Sequence, residues 1–302
     1  MPDPADASWE IDGRRIEVSG LDKRYWPETG ITKGDVLAYY RTVAPAMLPY
    51  LQGRPLTLVA FGAKGQGRYL RARPSKAPAW LPSVEYRLET KDVVRQEPVV
   101  DNAAGLLWYV NYQVIEFHLW LSRPPALDRP DWAVFDLDPG AETSFEPVLE
   151  TALRVRAALA AAGLRAWPKT SGGRGLHLFL PLLPEQPFEA VRAWVREVGE
   201  QLARAEPTLI AAAGGATHQG RLVTVDFAQN SIARSMAAPY TLRATPQARV
   251  STPLTWAEVE AGRVRPEDFT IQTIPARLAE HGEPWSGITD HPQRLPIDQT
   301  SP

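Results

Sequence analysis

The sequence predicts a mixed fold of helices and strands around a central sheet, either α/β or α+β. Three observations predict it. Short apolar runs of strand length alternate with longer stretches of helical periodicity. Prolines, 29 of them, cut the chain into short elements. The composition, 44% hydrophobic and 23% charged, supports a core and excludes a disordered chain. At 302 residues the chain is long enough for one or two domains, and a single domain over 1–302 is expected, with tails at 1–15 and 285–302.

The elements follow in order. Thr32 is placed to cap a helix over Lys33–Met47, with Val36, Tyr39, Tyr40 and Val43 on one face and Pro45 expected to end or kink it. Leu56–Phe61 reads as a strand, followed by the glycine-rich turn Gly62–Gly67, which lacks the Lys-Ser/Thr pair of a phosphate-binding Walker loop. Leu106–His118 is apolar and of ambiguous type. Trp132–Leu137 is a strand. Ser144 or Thr143 should cap a helix reaching about Ala162, with Pro147 in its first turn and Gly163 beyond its end. Leu164–Trp167 and Leu176–Leu180 read as strands around a glycine turn, Phe188–Ala205 as an amphipathic helix and Leu222–Phe227 as a strand. From Ser251 the chain is polar and proline-punctuated.

Composition also narrows function. No run of about 18 apolar residues occurs, so no membrane partner is expected. The acidic, polar start MPDPADASWEIDG does not read as a secretory leader, and a cytoplasmic location is expected. The absence of Cys excludes disulfides, a thiolate nucleophile and thiolate metal sites. Net charge is only −2, but it is unevenly spread. From Val36 to Val84 there is no acid, against Arg41, Arg54, Lys64, Arg68, Arg71, Arg73 and Lys76; Gln219–Val250 carries Arg221, Arg234, Arg243 and Arg249 against Asp226 alone. Such segregation makes a field that can hold a polyanion, or simply a basic surface.

Three motifs carry chemistry. In Trp132-Ala-Val-Phe-Asp136-Leu-Asp138-Pro-Gly, the two acids stand two apart on a strand and face one side. Carboxylates so close raise a pKa or recruit a hard cation such as Mg²⁺ or Mn²⁺; two turn-favouring acids at a strand end are the plainer alternative. Asp226, inside Leu222-Val-Thr-Val-Asp226-Phe227, is costly to bury alone. It either joins the first pair, as in two-metal phosphoryl transfer, or pairs with Arg221 or Arg243. Lys169-Thr-Ser171-Gly-Gly-Arg174-Gly-Leu-His177 offers glycine N–H groups, a hydroxyl and a guanidinium to an anion, or is a plain hairpin turn. His118, ending Val114-Ile-Glu-Phe-His118, reads by itself as a core histidine.

Asp136-Leu-Asp138, Ser171-Gly-Gly-Arg-Gly-Leu-His177 and Val225-Asp226 resemble the three signature motifs of archaeo-eukaryotic primase-polymerases. The chain is similar in particular to the polymerase domain of bacterial ligase D, from about Ile16 to Pro284. Further strings carry the likeness: Ile31-Thr-Lys-Gly-Asp-Val-Leu-Ala-Tyr-Tyr40, Phe135-Asp-Leu-Asp-Pro-Gly140, Asp226-Phe-Ala-Gln-Asn230, Ala238-Pro-Tyr-Thr-Leu-Arg243 and Ser251-Thr-Pro-Leu-Thr-Trp256. The resemblance implies an α+β fold of mixed and antiparallel sheets flanked by helices, with an RRM-like catalytic core. It implies a two-metal nucleotidyltransferase, with Asp136, Asp138 and Asp226 binding two ions, Mn²⁺ or Mg²⁺. His118, Ser171, Arg174, His177, Gln229 and Arg243 would hold the nucleoside triphosphate, ribonucleotides being favoured, with Asn230 at another polar position nearby. Lys23 and Lys33 would take a DNA 5′-phosphate, and Tyr69, Arg71 and Arg73 would meet DNA bases and backbone. The implied partners are gapped, nicked or broken DNA ends and end-binding and ligase proteins, in a bacterial, nucleoid-associated setting. The chain departs from the family pattern at Gly20, Ala72 and Gln219, which bears on DNA grip and not on chemistry. Three roles follow: end joining, stand-alone excision-repair gap filling, or a non-catalytic end-binding module. With no ligase or nuclease region in its 302 residues, the chain reads as a stand-alone relative or an excised domain.

Overall fold

The computed structural model describes residues 7–61, 67–70, 72–88, 92–211 and 220–297. The turn residues 62–66, Arg71 and the pair His218 and Gln219 lie outside them. The chain divides into two compact units, one of Met1–Trp120, Ser235–Ser251 and Phe269–Gly282, the other of Leu121–Arg234, Thr252–Asp268 and Glu283–Pro302.

The first unit opens on a hairpin, β1 (Ala7–Ile11) and β2 (Arg14–Val18), where a tail was expected over 1–15. Its two-residue Asp12-Gly13 turn has positive φ at both positions (50° and 68°), the geometry that matches strand twist. Burial of Ile16 and Val18 anchors it. After β3 (Arg24–Trp26) and β4 (Ile31–Thr32) comes α1 (Lys33–Leu51), started by a capping box between Thr32 and Asp35. The helix runs through Pro45 and on past Pro49. Both prolines lie on its exposed face, while Val43, Ala44, Met47, Tyr50 and Leu51 bury the other face. The ambiguous apolar run resolves into two elements, α2 (Ala103–Asn111), capped by Asn102, and β9 (Val114–Trp120). With β5 (Leu56–Phe61), β6 (Gly67–Leu70) and β15 (Ser235–Ala237), β9 makes an antiparallel sheet in the order β15-β9-β5-β6. A separate hairpin, β7 (Ser83–Leu88) with β8 (Val93–Pro98), and α6 (Ile274–His281) complete this unit.

The second unit is organised by β10 (Trp132–Pro139), the middle strand of a sheet ordered β11-β12-β10-β14-β13. Here β11 is Trp167–Thr170, β12 Leu176–Pro181, β13 Ile210–Ala211 and β14 Val223–Asp226. All neighbours are antiparallel except β13 with β14, which gives α+β over α/β. Helices α3 (Glu146–Ala161) and α4 (Phe188–Ala205) pack on β10, and α5 (Trp256–Ala261) packs on α3. The α3 N-cap is Phe145, without a side-chain cap, and not Ser144 or Thr143. The Thr143 hydroxyl instead reaches the Gly220 and Leu222 carbonyls. The strand expected over Leu164–Trp167 starts at Trp167, where its pairing with Phe179 begins. The segment after 285, expected as a tail, is docked: Trp285 is buried and donates to the Pro168 carbonyl (3.0 Å), and Gln293 pairs with Leu182. Among the described residues no helix is long and apolar enough to cross a membrane.

Candidate active site

Strand register sets the site. On β10, Asp136 and Asp138 lie two apart and so share a face. Asp226 ends β14 directly opposite Asp136, and Thr224 lies opposite Asp138. On the other flank His177 of β12 lies opposite Asp136, and Lys169 of β11 lies opposite His177. Four strands therefore present one transverse row, Lys169, His177, Asp136 and Asp226, with Asp138 one step further along the same face. The apolar residues before and between the acids, Trp132, Val134, Phe135 and Leu137, are all buried, which fixes the register.

The side chains extend this row. Lys169 is 0% exposed, with Nζ 2.9 Å from His177 Nδ1. His177 Nε2 lies 3.3 Å from Asp136 Oδ1, and Asp136 is 8% exposed. Asp226 is half-buried, and its Oδ1 accepts the Ala228 N–H at 2.7 Å. Neither arginine considered for it is committed to it in these contacts: Arg221 approaches Glu142 (3.4 Å) and Arg243 approaches Glu116 (3.1 Å). Two carboxylates directly opposed across a strand pair repel, and a third beside them adds to the negative field. Three carboxylate groups are the hard oxygen donors that Mg²⁺ and Mn²⁺ take, so the residues fit such ions. Among the described residues, however, no group of three or more His, Cys, Asp or Glu side chains is placed to hold a metal ion. The acids share a face, with Asp136 drawn to His177 and Asp226 to Ala228.

The glycine turn between β11 and β12 is held from inside. The Ser171 hydroxyl accepts the N–H groups of Gly173 and Gly175, both at 3.1 Å, and the Ser171 N–H donates to the Gly175 carbonyl. Gly175 has no room for a side chain: a Cβ would lie 2.5 Å from the Leu137 carbonyl oxygen. Arg174 is exposed, yet its guanidinium donates to the carbonyls of Gly140 (2.8 Å), Ala141 (3.2 Å) and Thr143 (3.1 Å). It holds the turn that follows the two acids of β10. Gln229 is half-buried. Asn230, expected at the nucleotide, is instead fully buried and bonds both backbone groups of Val134.

The other expected residues lie in the first unit. His118 on β9 meets Glu116 through Nε2 (2.7 Å), and Arg243 Nε reaches the same Glu116 oxygen. The second Glu116 oxygen accepts the Ala244 N–H (2.8 Å). Burial pushes the Glu116 pKa up, but the His118 hydrogen bond, the Arg243 and His118 charges and the Ala244 N–H outweigh it and bring it down to about 2. Lys23 is exposed, its ammonium 5.6 Å from the Tyr25 ring centre. Lys33 is 5% exposed and donates to the Ser19 carbonyl (2.6 Å) and Asn111 Oδ1 (2.7 Å), so it braces the loop that carries Lys23. Tyr69, on edge strand β6, is 64% exposed. Arg73 donates to the Ala77 and Pro78 carbonyls. Arg71 is outside the described residues. Sequence reasoning missed Lys169 and Glu116 as site residues, although each is a charge inside an apolar strand run.

The fold and the family match place the chain among the primase-polymerases, a class of nucleotidyltransferases. The chain belongs to the family of the LigD primase-polymerase domain, which it matches over residues 32–285. It is 31% identical over 275 residues to the multifunctional non-homologous end joining protein LigD of Mycolicibacterium smegmatis, covering 89% of this chain and 35% of that protein. It is 27% identical over 286 residues to the bifunctional non-homologous end joining protein LigD of Bacillus subtilis, covering 94% of this chain and 46% of that one. The chain thus spans less than half of either relative. Among solved structures it is similar to the polymerase domain of Mycobacterium tuberculosis ligase D in complex with DNA, with a TM-score of 0.84 and 30% identity over 92% of this chain and 99% of that one.

Proposed function

We propose that this chain adds nucleotides, ribonucleotides in preference, to primer 3′ ends at DNA gaps or breaks that carry a 5′-phosphate, as part of non-homologous end joining. The observation that carries the reading is the opposition of Asp136 and Asp226 on one sheet face, with Asp138 beside them, in a chain of the LigD primase-polymerase family. In the reaction the primer 3′-oxygen bonds to the α-phosphorus, the α–β phosphoanhydride bond breaks, pyrophosphate leaves and the hydroxyl proton passes to solvent. When bound, two divalent ions, Mn²⁺ in preference, would lower the hydroxyl pKa and neutralise charge on the transferring phosphorus.

The chain's own groups do the rest. Asp136, Asp138 and Asp226 supply the oxygen donors. His177 donates from the edge of that row, while Ser171 shapes the glycine turn beside it. Arg174 reaches a phosphate after releasing the 140–143 turn. The family resemblance supports nucleotide-contact roles for His118 and Arg243, which Glu116 orients in the first unit, and for half-buried Gln229 in the second. Lys23 meets the terminal phosphate from the loop that Lys33 braces, and Tyr69 offers an exposed ring for base stacking.

The test is extension of a gapped duplex with Mn²⁺ and nucleoside triphosphates. Extension by the parent and its loss in Asp136→Ala and Asp138→Ala are expected. Parent-rate extension by both variants overturns the metal assignment, and binding without extension by the parent leaves an end-binding module. Equal affinity for gaps with and without the 5′-phosphate removes the role of Lys23.

A further inference from the structure

We infer that Lys169 is a positioning residue whose ammonium fixes His177 as the tautomer with its proton on Nε2, so that the ring donates toward the carboxylate row. The inference rests on the functional reading above for what His177 serves, but its geometry stands alone. Lys169 is fully buried, and its Nζ lies 2.9 Å from His177 Nδ1. Lys169 is taken as protonated: an ammonium has three N–H donors and no lone pair, so Nδ1 then accepts. The ring proton then sits on Nε2, the nitrogen 3.3 Å from Asp136 Oδ1.

The surroundings suit an ammonium at this place. The Thr170 carbonyl lies 3.4 Å from Nζ, and the Phe179 ring centre lies 5.6 Å away. Both are groups that face a cation favourably, and neither competes for Nδ1. Strand register leaves no slack: Lys169 opposes His177, which opposes Asp136. A histidine free to exchange tautomers would present Nε2 as donor for only part of the time. An anion or a carboxylate needs that donor, and the lysine makes it permanent. A buried lysine that only filled space would be met more simply by leucine or methionine, at no desolvation cost.

The test reads the ring directly. The chain holds five histidines, so ¹⁵N-histidine labelling and long-range ¹H–¹⁵N correlation give five ring patterns, with His177 assigned by His177→Gln. The wild type should show His177 neutral and protonated on Nε2. Lys169→Met, of similar length and without a donor, should shift His177 alone toward a mixture of tautomers. Its incorporation rate should fall. The chain has no cysteine, so Lys169→Cys can be aminoethylated at one place while unfolded and then refolded, with wild type as the control for the treatment. The resulting amine should restore both the ring pattern and the rate. A wild-type ring protonated on Nδ1 or doubly protonated overturns the inference whether or not any variant folds. So does an unchanged ring in Lys169→Met, or a failure of the restored amine to recover the wild-type pattern. Absence of incorporation by the wild type would instead sink the functional reading and leave the tautomer result intact.

Discussion

Asn230 offers the sharpest separation of a structural from a functional role. Its Oδ1 accepts the Val134 N–H (2.9 Å), and its Nδ2 donates to the Val134 carbonyl (2.7 Å) and the Phe227 carbonyl (3.1 Å). Strand β14 ends at Asp226, so the amide continues the ladder along β10 where the backbone has turned away. It does this because a carboxamide carries one acceptor and a donor pair, like a peptide unit. Asn230→Ala leaves the N–H and the carbonyl of Val134 unpaired at a fully buried place. At roughly 1–3 kcal/mol for each unsatisfied buried group, the loss is about 3–5 kcal/mol. Urea denaturation followed by far-ultraviolet circular dichroism measures it, with nucleotide KM taken on the folded variant. The expected result is a large fall in midpoint with KM little changed. A stability loss below about 1 kcal/mol together with a several-fold rise in KM would refute the staple and restore Asn230 to the nucleotide.

Two further outcomes follow from the same contacts. The Glu116 pKa falls from 4.5 to about 2 on folding, so its contribution, on the order of 3 kcal/mol, is fully present above pH 4.5 and is lost as pH falls toward 2. The stability gap between wild type and Glu116→Gln in urea titrations should therefore shrink between pH 6 and pH 3; a gap independent of pH contradicts the ion cluster. Gly175→Ala would drive a Cβ to 2.5 Å from the Leu137 carbonyl oxygen and 3.3 Å from Asp138 Oδ1, so it should cost about 1–3 kcal/mol and at least about tenfold in incorporation. An unchanged melting temperature with full activity shows that the strands part there without cost.

Much of this was legible in the chain, and what was hidden has physical causes. Phe188–Ala205 and Leu56–Phe61 were read with the observed bounds because a helix stripe and a continuous apolar strand are local patterns. The acid pair was legible from period-two spacing alone. The helix that Pro45 was expected to end or kink runs on to Leu51, because the apolar face with Met47, Tyr50 and Leu51 is buried and packing is not a local property of the sequence. The hairpin over 7–18 was signalled by Asp12-Gly13, which a polar, acidic start disguised as a tail. Asn230 reads from the resemblance as a polar residue near the nucleotide, yet its amide is bonded to both backbone groups of Val134, a contact that only the fold makes. Lys169 went unseen because it meets His177 only when the two strands pair, and Glu116 because, besides His118 two residues on, it is held by Arg243, 127 residues away.

The opposed acids of the proposed cation site bring a last consequence, because their repulsion costs the metal-free fold stability. Asp136 and Asp226 face each other directly, and like charges so placed cost up to about 1 kcal/mol. Asp226→Asn removes one charge and keeps an oxygen for the Ala228 N–H, so it isolates repulsion from hydrogen bonding. In chelator the variant should melt about 2 °C above the parent, since about 1 kcal/mol moves a chain of this size by that amount. With Mn²⁺ the order should reverse, because ligand binding stabilises only the protein that retains the site, by RT ln(1 + [L]/Kd). Differential scanning calorimetry with and without Mn²⁺ reads both terms in one pair of proteins. A variant that melts below the parent in chelator removes the repulsion, and an equal Mn²⁺ shift in both removes Asp226 from the metal site.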